Sequence, residues 1–144
     1  MTDKKIVVAY DNSPNSKNAL KLAAEIAQTI GAKISLVSVV EQNFSLYQGE
    51  IGVRDFQKIQ QAIDEFGKEM MESGVKLAQE LGIEVKTALL SGNPANELLR
   101  YAQEENAYMI VVGPRGLGGL KGVLLGSVTQ KILNHSPIPV VVAK

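Results

Sequence analysis

The sequence has 144 residues, which suffices for one compact domain and is short for two. Fifteen Lys and Arg balance fifteen Asp and Glu, so the chain lacks the basic excess typical of proteins that bind nucleic acids or anionic membranes. With no cysteine and a single histidine, disulfides, thiol nucleophiles, thiolate zinc sites and histidine-rich metal sites are excluded. We therefore expect one domain over residues 1–144, whose chemistry depends on carboxylates, hydroxyls, cations and backbone amides.

The start of the chain contains only a short apolar run, residues 6–10, which Asp11 ends. This run is shorter than the apolar core of a signal peptide, and no segment has the length of apolar residues that a membrane span needs. We expect a soluble, cytoplasmic protein that binds neither membranes nor nucleic acids.

The first half of the chain alternates apolar runs with amphipathic helical patterns. The run IVVAY at residues 6–10 predicts a strand buried on both faces. The segment SPNS at residues 13–16 is typical of a helix N-terminus, and Gly31 ends that helix. A second strand is predicted over residues 34–40, and an irregular segment over residues 41–52 follows it.

A long second helix is predicted over residues 54–81. Its apolar positions recur at helical spacing and define one face: Phe56, Ile59, Ile63, Phe66, Met70 and Leu77. Gly67 and Gly74 lie inside this helix, where each costs about 1 kcal/mol relative to alanine. Because they share one side, a close helix contact there is possible, but we expect that the helix simply tolerates them.

The second half continues the same alternation. It predicts a strand near a sheet edge (83–90), the turn SGNP (91–94) with a helix from there to residue 102, a strand (108–112), a glycine-rich loop (113–122), a short helix (126–134) and a last strand (139–143). Five strands separated by helical crossovers predict an α/β fold, a doubly wound parallel sheet with helices on both faces. Such sheets bind ligands beyond the carboxyl ends of their strands, which directs attention to the loops after strands one and four.

The segment GPRGLGGLKG at residues 113–122 holds five of the 13 glycines and directly follows a predicted strand. Glycine allows backbone amides to approach a ligand closely. Gly126 then opens a helix, whose first amides have no partner within the helix and attract anions. Four side chains add hydroxyls and charge to this phosphate cradle: Ser127, Thr129, Arg115 and Lys121.

Two common phosphate loops do not fit this segment. A P-loop needs Ser or Thr after its Gly-Lys pair, but Gly122 follows Lys121. The dinucleotide fingerprint needs a glycine at position 121 and normally follows the first strand. The alternative to phosphate binding is a flexible loop in which the glycines only form turns.

Gly113 and Gly116, followed after nine residues by Gly126-Ser127, resemble the nucleotide-binding signature of the universal stress proteins. The resemblance extends over essentially the whole chain. It includes the opening IVVAYDNS, the GNP turn, GLK in the loop, LLGSV and the closing PIPVVV. It implies a five-stranded parallel sheet in the order 3-2-1-4-5, a Rossmann-like fold in which the loops after strands one and four lie side by side.

The resemblance also implies an adenine nucleotide (ATP, ADP or AMP) between those two loops. Asp11 would accept a hydrogen bond from a ribose hydroxyl or the base amine, and Val39 would form an apolar wall for adenine. Mg²⁺ or Mn²⁺ would arrive with the phosphates, since no cluster of protein metal ligands is evident. The residues implied to line the ligand are Ala9, Tyr10, Asp11, Val39, Val112, Gly113, Arg115, Gly116, Gly126, Ser127, Val128 and Thr129.

Some of these residues have other interpretations, and two positions depart from the family pattern. Asp11 alternatively caps the first helix, and Arg115 is alternatively a solvated loop charge. Pro114 stands where a small or polar residue is common, and it removes one backbone donor from the loop. Tyr108 stands where the family usually has aspartate, a change expected to affect packing and not the ligand.

The last strand, residues 139–143 from Pro139 to Ala143, is apolar, and in this strand order it lies at a sheet edge. An uncovered apolar edge favours aggregation, so we expect it to be paired. The resemblance implies a homodimer formed by antiparallel pairing of this strand.

The leading hypothesis is a dimeric regulatory module of the stress response that binds ATP and hydrolyses it slowly at most. Rapid phosphoryl transfer needs a positioned base and charge clamps, and the sequence offers no complete set. Two alternatives stay open. One is an adenylylating or ATP-hydrolysing enzyme of the adenine-nucleotide α/β class, and the other is a nucleotide-free interaction module of the same family.

Overall fold

A computed structural model describes residues 3–41, 52–116 and 124–144. The elements in chain order are β1 (Lys5–Ala9), α1 (Pro14–Ile30), β2 (Lys33–Val40), α2 (Val53–Glu80), β3 (Val85–Ser91), α3 (Pro94–Glu104), β4 (Met109–Val112), α4 (Ser127–His135) and β5 (Val140–Val142). The strands form one parallel sheet in the order β3-β2-β1-β4-β5. The predicted fold class and strand order are confirmed, and the predicted element bounds lie within two residues of those observed.

The sheet has a helical layer on each face, and β1 lies at its centre. Ile6 and Val8 contact the cluster formed with α1 and α2, while Val7 belongs to the cluster formed with α3 and α4. All three side chains are fully buried. The prediction that β1 is buried on both faces is therefore confirmed.

The turn into α1 follows the predicted capping pattern. The Ser13 side chain accepts a hydrogen bond from the Ser16 amide at 3.1 Å, and Pro14 occupies the first helical turn. Gly31 ends the helix in the left-handed conformation with φ 71°. These local signals explain why α1 begins and ends where the sequence predicts.

The two glycines inside α2 face the sheet at very short range. A Cβ atom at Gly67 would lie 2.8 Å from Val40 Cγ2, and one at Gly74 would lie 2.6 Å from Leu36 Cδ2. The expectation that the helix merely tolerates these glycines is wrong. Their missing side chains allow the α2 backbone to approach the sheet, and the contact is between helix and sheet, not between helices.

The apolar face predicted for α2 is buried only in its second half. Met70 is buried, whereas the side chains of Phe56 and Phe66 are 38% and 55% exposed. The helix has 28 residues and a length of about 42 Å, far longer than the eight-residue strand β2 that precedes it. Since α2 starts at the carboxyl edge of the sheet, its first turns extend beyond that edge.

At the opposite edge of the sheet, Glu105 connects α3 to two strands. Its carboxylate accepts hydrogen bonds from Lys86 Nζ at 2.7 Å and from Lys5 Nζ at 3.2 Å. Lys86 first and Lys5 second lower the pKa of Glu105 to about 2. These contacts stabilise the amino edge, away from the loops after β1 and β4.

Among the described residues, none of the helices combines the length and the apolar composition of a membrane span.

Candidate functional site

A cavity of about 750 Å³ opens at the carboxyl edge of the sheet, between the loop after β1 and the loop after β4. This is the point at which the strand order reverses, where doubly wound sheets bind their ligands. The twelve residues that the resemblance implied to line a ligand all line this cavity: Ala9, Tyr10, Asp11, Val39, Val112, Gly113, Arg115, Gly116, Gly126, Ser127, Val128 and Thr129. Their contacts with a ligand stay a prediction.

The Asp11 carboxylate bridges two parts of the site. Its Oδ1 accepts a hydrogen bond from the Ser13 amide at 3.0 Å, while a Cβ atom at Gly116 would collide with its Oδ2. The helix cap itself is the Ser13 side chain, so Asp11 does not cap α1. The carboxylate instead organises the turn before the helix and faces the glycine-rich loop.

Tyr10 lines the cavity, and its ring packs against α2 beside Gly74. The residue is 2% exposed and belongs to the core cluster beneath α1 and α2. Its hydroxyl lies 2.9 Å from Ser73 Oγ, and its carbonyl accepts a hydrogen bond from Ser38 Oγ at 2.7 Å. Burial raises the pKa of the Tyr10 hydroxyl, against the lowering effect of the Ser73 hydrogen bond, so the phenol is neutral at physiological pH.

The loop after β4 is held by hydrogen bonds to α4. The Gly126 amide donates to the Pro114 carbonyl at 2.7 Å, and the Thr129 hydroxyl donates to the Gly113 carbonyl at 2.9 Å. The hydrogen of the Thr129 hydroxyl is therefore used within the protein, whereas Ser127 is exposed at the cavity. Of the two hydroxyls predicted for phosphate, Ser127 is the better placed donor.

The same loop is tied to α1. Asn15 Nδ2 donates to the Arg115 carbonyl at 3.2 Å, and a Cβ atom at Gly113 would lie 2.8 Å from Asn15 Cβ. The close contact explains the glycine at position 113. Because both neighbouring helices hold it, the Gly113–Arg115 backbone forms a preorganised wall of the cavity.

The N-terminus of α4 lies at this wall. Its N-cap residue is Gly126, which provides no side-chain cap, and the helix has nine residues. The first amides of a helix lack intrahelical partners and carry its positive dipole end, so they favour an anion. The arrangement fits a phosphate group held by backbone amides, with Arg115 lining the same cavity.

Sequence reasoning missed the apolar wall of the cavity. It is formed by the part of α2 between residues 59 and 70 and by the start of α3: Ile59, Ala62, Ile63, Phe66, Met70, Pro94 and Leu98. The helical spacing of the α2 residues was visible in the sequence, but it was interpreted only as one face of a helix. The length of α2 relative to the strands was the signal that part of this face extends beyond the sheet.

Two departures from the family pattern have clear local consequences. Pro114 is buried, and its carbonyl holds Gly126 as described above. Tyr108 lies before β4, at the opposite end of that strand from the cavity, with Lys4 Nζ 4.7 Å from the centre of its ring. Tyr108 is 46% exposed, so its place away from the cavity agrees with the expectation that the change does not affect the ligand, while a packing role stays a prediction.

Within the described ranges, no group of three or more His, Asp or Glu side chains is placed to hold a metal ion. Lys121 of the predicted phosphate cradle lies outside the described residues, and so does most of the predicted irregular segment at 41–52.

The sheet order defines a doubly wound α/β protein, with a cavity at its switch point between the loops after β1 and β4. The family model of the universal stress proteins matches residues 3–144, and the chain belongs to that family.

Individual relatives agree with this assignment. Universal stress protein MJ0531 of Methanocaldococcus jannaschii is 35% identical over 141 residues, which covers 98% of this chain and 82% of that protein. The solved structure of protein MJ0577, from the same organism, has a TM-score of 0.81 and 30% identity, and the match covers 100% of this chain and 97% of that one. A universal stress protein solved in complex with cAMP has a TM-score of 0.71 and 25% identity, covering 98% of this chain and 97% of that chain.

Proposed function

We propose that this chain binds an adenine nucleotide, of which ATP is the leading candidate, in the cavity at the carboxyl edge of the sheet. One observation carries the proposal. One cavity combines a helix N-terminus and a glycine-lined backbone wall with an apolar wall formed by α2 and α3. A nucleotide has the same two parts, anionic phosphates and a flat aromatic base whose faces pack against apolar side chains. The relative solved with cAMP supports this ligand class.

The residues suggest an orientation for the nucleotide. Its phosphates would meet the first amides of α4 and the Ser127 hydroxyl, where the helix dipole favours negative charge. Its base would lie against Val39, with Asp11 as the acceptor for a ribose hydroxyl or the base amine. A divalent ion held mainly by the phosphates would neutralise part of their charge, which suits a site whose described residues provide no metal-ligand cluster.

We further propose that binding, and not rapid turnover, is the function of this site. Asp11 is a carboxylate at the cavity, and its Oδ1 already accepts from the Ser13 amide. Fast phosphoryl transfer needs a positioned base and several charge clamps around the phosphates. Among the described cavity residues, Arg115 is the single cation. We expect a regulatory binding domain of the stress response, with slow hydrolysis at most.

The proposed assembly is a homodimer formed through β5. This strand ends the sheet, and its three valines are half-buried in the isolated chain. Antiparallel pairing with a second copy would cover this edge and remove an exposed template for aggregation.

Calorimetric titration of ATP, ADP and AMP with Mg²⁺ tests the proposal, with Gly126→Ala as the site variant. A Cβ atom at Gly126 would lie 3.5 Å from Arg115 Cα and 3.6 Å from the Pro114 carbonyl oxygen, which are ordinary contacts. The variant should therefore fold normally, and a loss of affinity of about tenfold would report contact with the ligand.

Gly52→Ala is the matched control for this titration. A Cβ atom there has none of the described residues within 4 Å, and Gly52 is not among the described residues that line the cavity. We expect this variant to bind like the wild type. If the wild type releases no heat with any of the three nucleotides, the proposal is wrong.

A further inference from the structure

Three polar side chains connect α2 to the loop after β1. The Tyr10 hydroxyl lies 2.9 Å from Ser73 Oγ, and Ser73 Oγ donates to Asn12 Oδ1 at 2.6 Å. The Tyr10 hydroxyl also lies 3.1 Å from Asn12 Oδ1. Each hydroxyl has one proton, so the two shortest contacts are both satisfied when Tyr10 donates to Ser73 and Ser73 donates to Asn12. A side chain of α2 thus holds the side chain of Asn12.

Asn12 has an unusual backbone conformation, with φ 66° in the left-handed region. Asparagine adopts this region more readily than most residues, but it still needs support from its surroundings. In this conformation the Asp11 carboxylate folds back to accept from the Ser13 amide at 3.0 Å, and its other oxygen reaches Gly116. The direction of the Asp11 side chain therefore depends on the backbone of Asn12.

Gly74 explains how α2 reaches this loop. A Cβ atom there would lie 3.1 Å from the Tyr10 ring. Without that atom the helix lies directly on the ring, and the preceding residue, Ser73, comes within hydrogen-bond distance of the phenol. Gly74 therefore allows Ser73 of α2 to reach Tyr10 at the edge of the cavity.

We propose that Ser73 is a positioning residue of the nucleotide site. Supported by Tyr10, it holds Asn12 in the left-handed conformation and so keeps the Asp11 carboxylate directed at the gap beside Gly116. Ser73 does not line the cavity, so its effect on a ligand passes through the loop. The effect on affinity rests on the proposed nucleotide binding, whereas the effect on the loop is present in the ligand-free chain.

Hydrogen exchange of the Ser13 amide, measured by NMR without ligand, tests the effect on the loop. Ser73→Ala removes one neutral hydrogen bond and should speed this exchange about threefold to tenfold. Ser73→Thr keeps the hydroxyl and should restore slow exchange. Thr29→Ala is the matched control, because it removes a hydroxyl that donates to the Glu25 carbonyl of its own helix at 2.9 Å. It should leave the Ser13 amide unchanged.

Nucleotide affinity tests the effect on the site. Ser73→Ala should weaken ATP binding about threefold to tenfold, and Ser73→Thr should bind like the wild type. In an Asn12→Gly background, Ser73→Ala should cause no additional loss, since glycine adopts φ 66° without support and offers no side chain to Ser73. If Ser73→Ala lowers ATP affinity equally in the wild type and in the Asn12→Gly background, the proposal is overturned. An unchanged exchange rate of the Ser13 amide in Ser73→Ala would also overturn it.

The two proposals fail in different ways. If the wild type binds no nucleotide but Ser73→Ala still speeds Ser13 exchange, the proposed function is wrong and the positioning of the loop is supported. If the wild type binds ATP and Ser73→Ala changes neither exchange nor affinity, the positioning role is wrong and the proposed function stands.

Discussion

The Asp11 carboxylate and the Gly116 backbone touch across the gap between the loops after β1 and β4, so closely that a Cβ atom at position 116 collides with Asp11 Oδ2. The two residues come from loops about one hundred positions apart in the sequence. Asp11, a candidate hydrogen-bond acceptor for the ligand, therefore packs against the backbone of the glycine-rich loop. A side chain at position 116 would occupy the space that the Asp11 carboxylate now fills.

Gly116→Ala should therefore weaken nucleotide binding with little loss of stability. The colliding atom is the end of a short side chain, which can rotate away at a cost below about 1 kcal/mol. Moving the carboxylate removes a charge-assisted hydrogen bond to the ligand, and affinity should fall about tenfold. Calorimetric titration and urea denaturation of the same sample measure the two effects. A variant with unchanged affinity would show that Asp11 does not contact the nucleotide.

Gly74→Ala should destabilise the protein, although alanine is the better helix former. Helix propensity alone predicts a gain of about 1 kcal/mol. The added Cβ would lie 2.6 Å from Leu36 Cδ2, and Leu36 is fully buried and unable to move aside. Overpacking of this kind costs about 1–3 kcal/mol, so we expect a net loss in urea denaturation. A net stabilisation would mean that the contact between α2 and the sheet is looser than described.

Much of the fold follows from local sequence signals. The cap at Ser13, the left-handed Gly31 and the buried run at residues 6–10 place their elements correctly because each depends on neighbours close in sequence. Gly126 was identified differently, because its spacing from Gly113 and Gly116 resembles the nucleotide-binding signature of the family. The contacts of Gly74 were not predictable, since they depend on residues that lie far away along the chain.

In the candidate site, too, local features could be predicted from the sequence and contacts between distant residues could not. The direction of Tyr10 was available from the sequence, because side chains alternate along a strand and Tyr10 shares the parity of Ile6 and Val8. The hydrogen bond between Tyr10 and Ser73 could not be predicted from the sequence, because the two residues are 63 positions apart and only the packing of α2 brings them together. Long-range contacts of polar side chains leave no periodic signal.

The stability of the protein should fall in acid partly through Glu105. The ordinary pKa of this carboxyl is 4.5, and the folded protein lowers it to about 2. A lowered folded-state pKa favours folding above pH 4.5, and that contribution is lost as the pH falls from 4.5 towards 2. The side chain is 20% exposed and its lysine partners more so, and the contribution is about 1 kcal/mol or less.

Glu105→Gln removes the titrating group and should flatten this part of the pH profile. Urea denaturation of Glu105→Gln and of the wild type at pH 7, 4.5 and 3 measures the free energy of unfolding of both proteins at each pH. If both proteins lose the same stability between pH 4.5 and 3, Glu105 is not held by Lys86 and Lys5 in solution.

Val142→Pro should convert the proposed dimer to a monomer. Two backbone hydrogen bonds join this segment to β4: the Ile110 amide donates to the Pro139 carbonyl at 2.9 Å, and the Ala143 amide donates to the Val112 carbonyl at 2.8 Å. Because backbone groups alternate in direction along a strand, the amide of Val142 points away from β4, towards the open edge of the sheet. Proline there removes a donor to a second copy and keeps the pairing with β4. Native mass spectrometry compares the two proteins. A wild-type monomer would contradict the proposed assembly.

The most direct test of nucleotide binding is an amide NMR titration of the isotope-labelled wild type with ATP and Mg²⁺. We predict saturable shifts of the Gly113, Gly116, Ser127 and Val128 amides, which line the cavity, while the Lys86 amide on β3 stays unchanged. If the cavity amides do not move, or if the shifts cluster elsewhere on the protein, the proposed site is wrong.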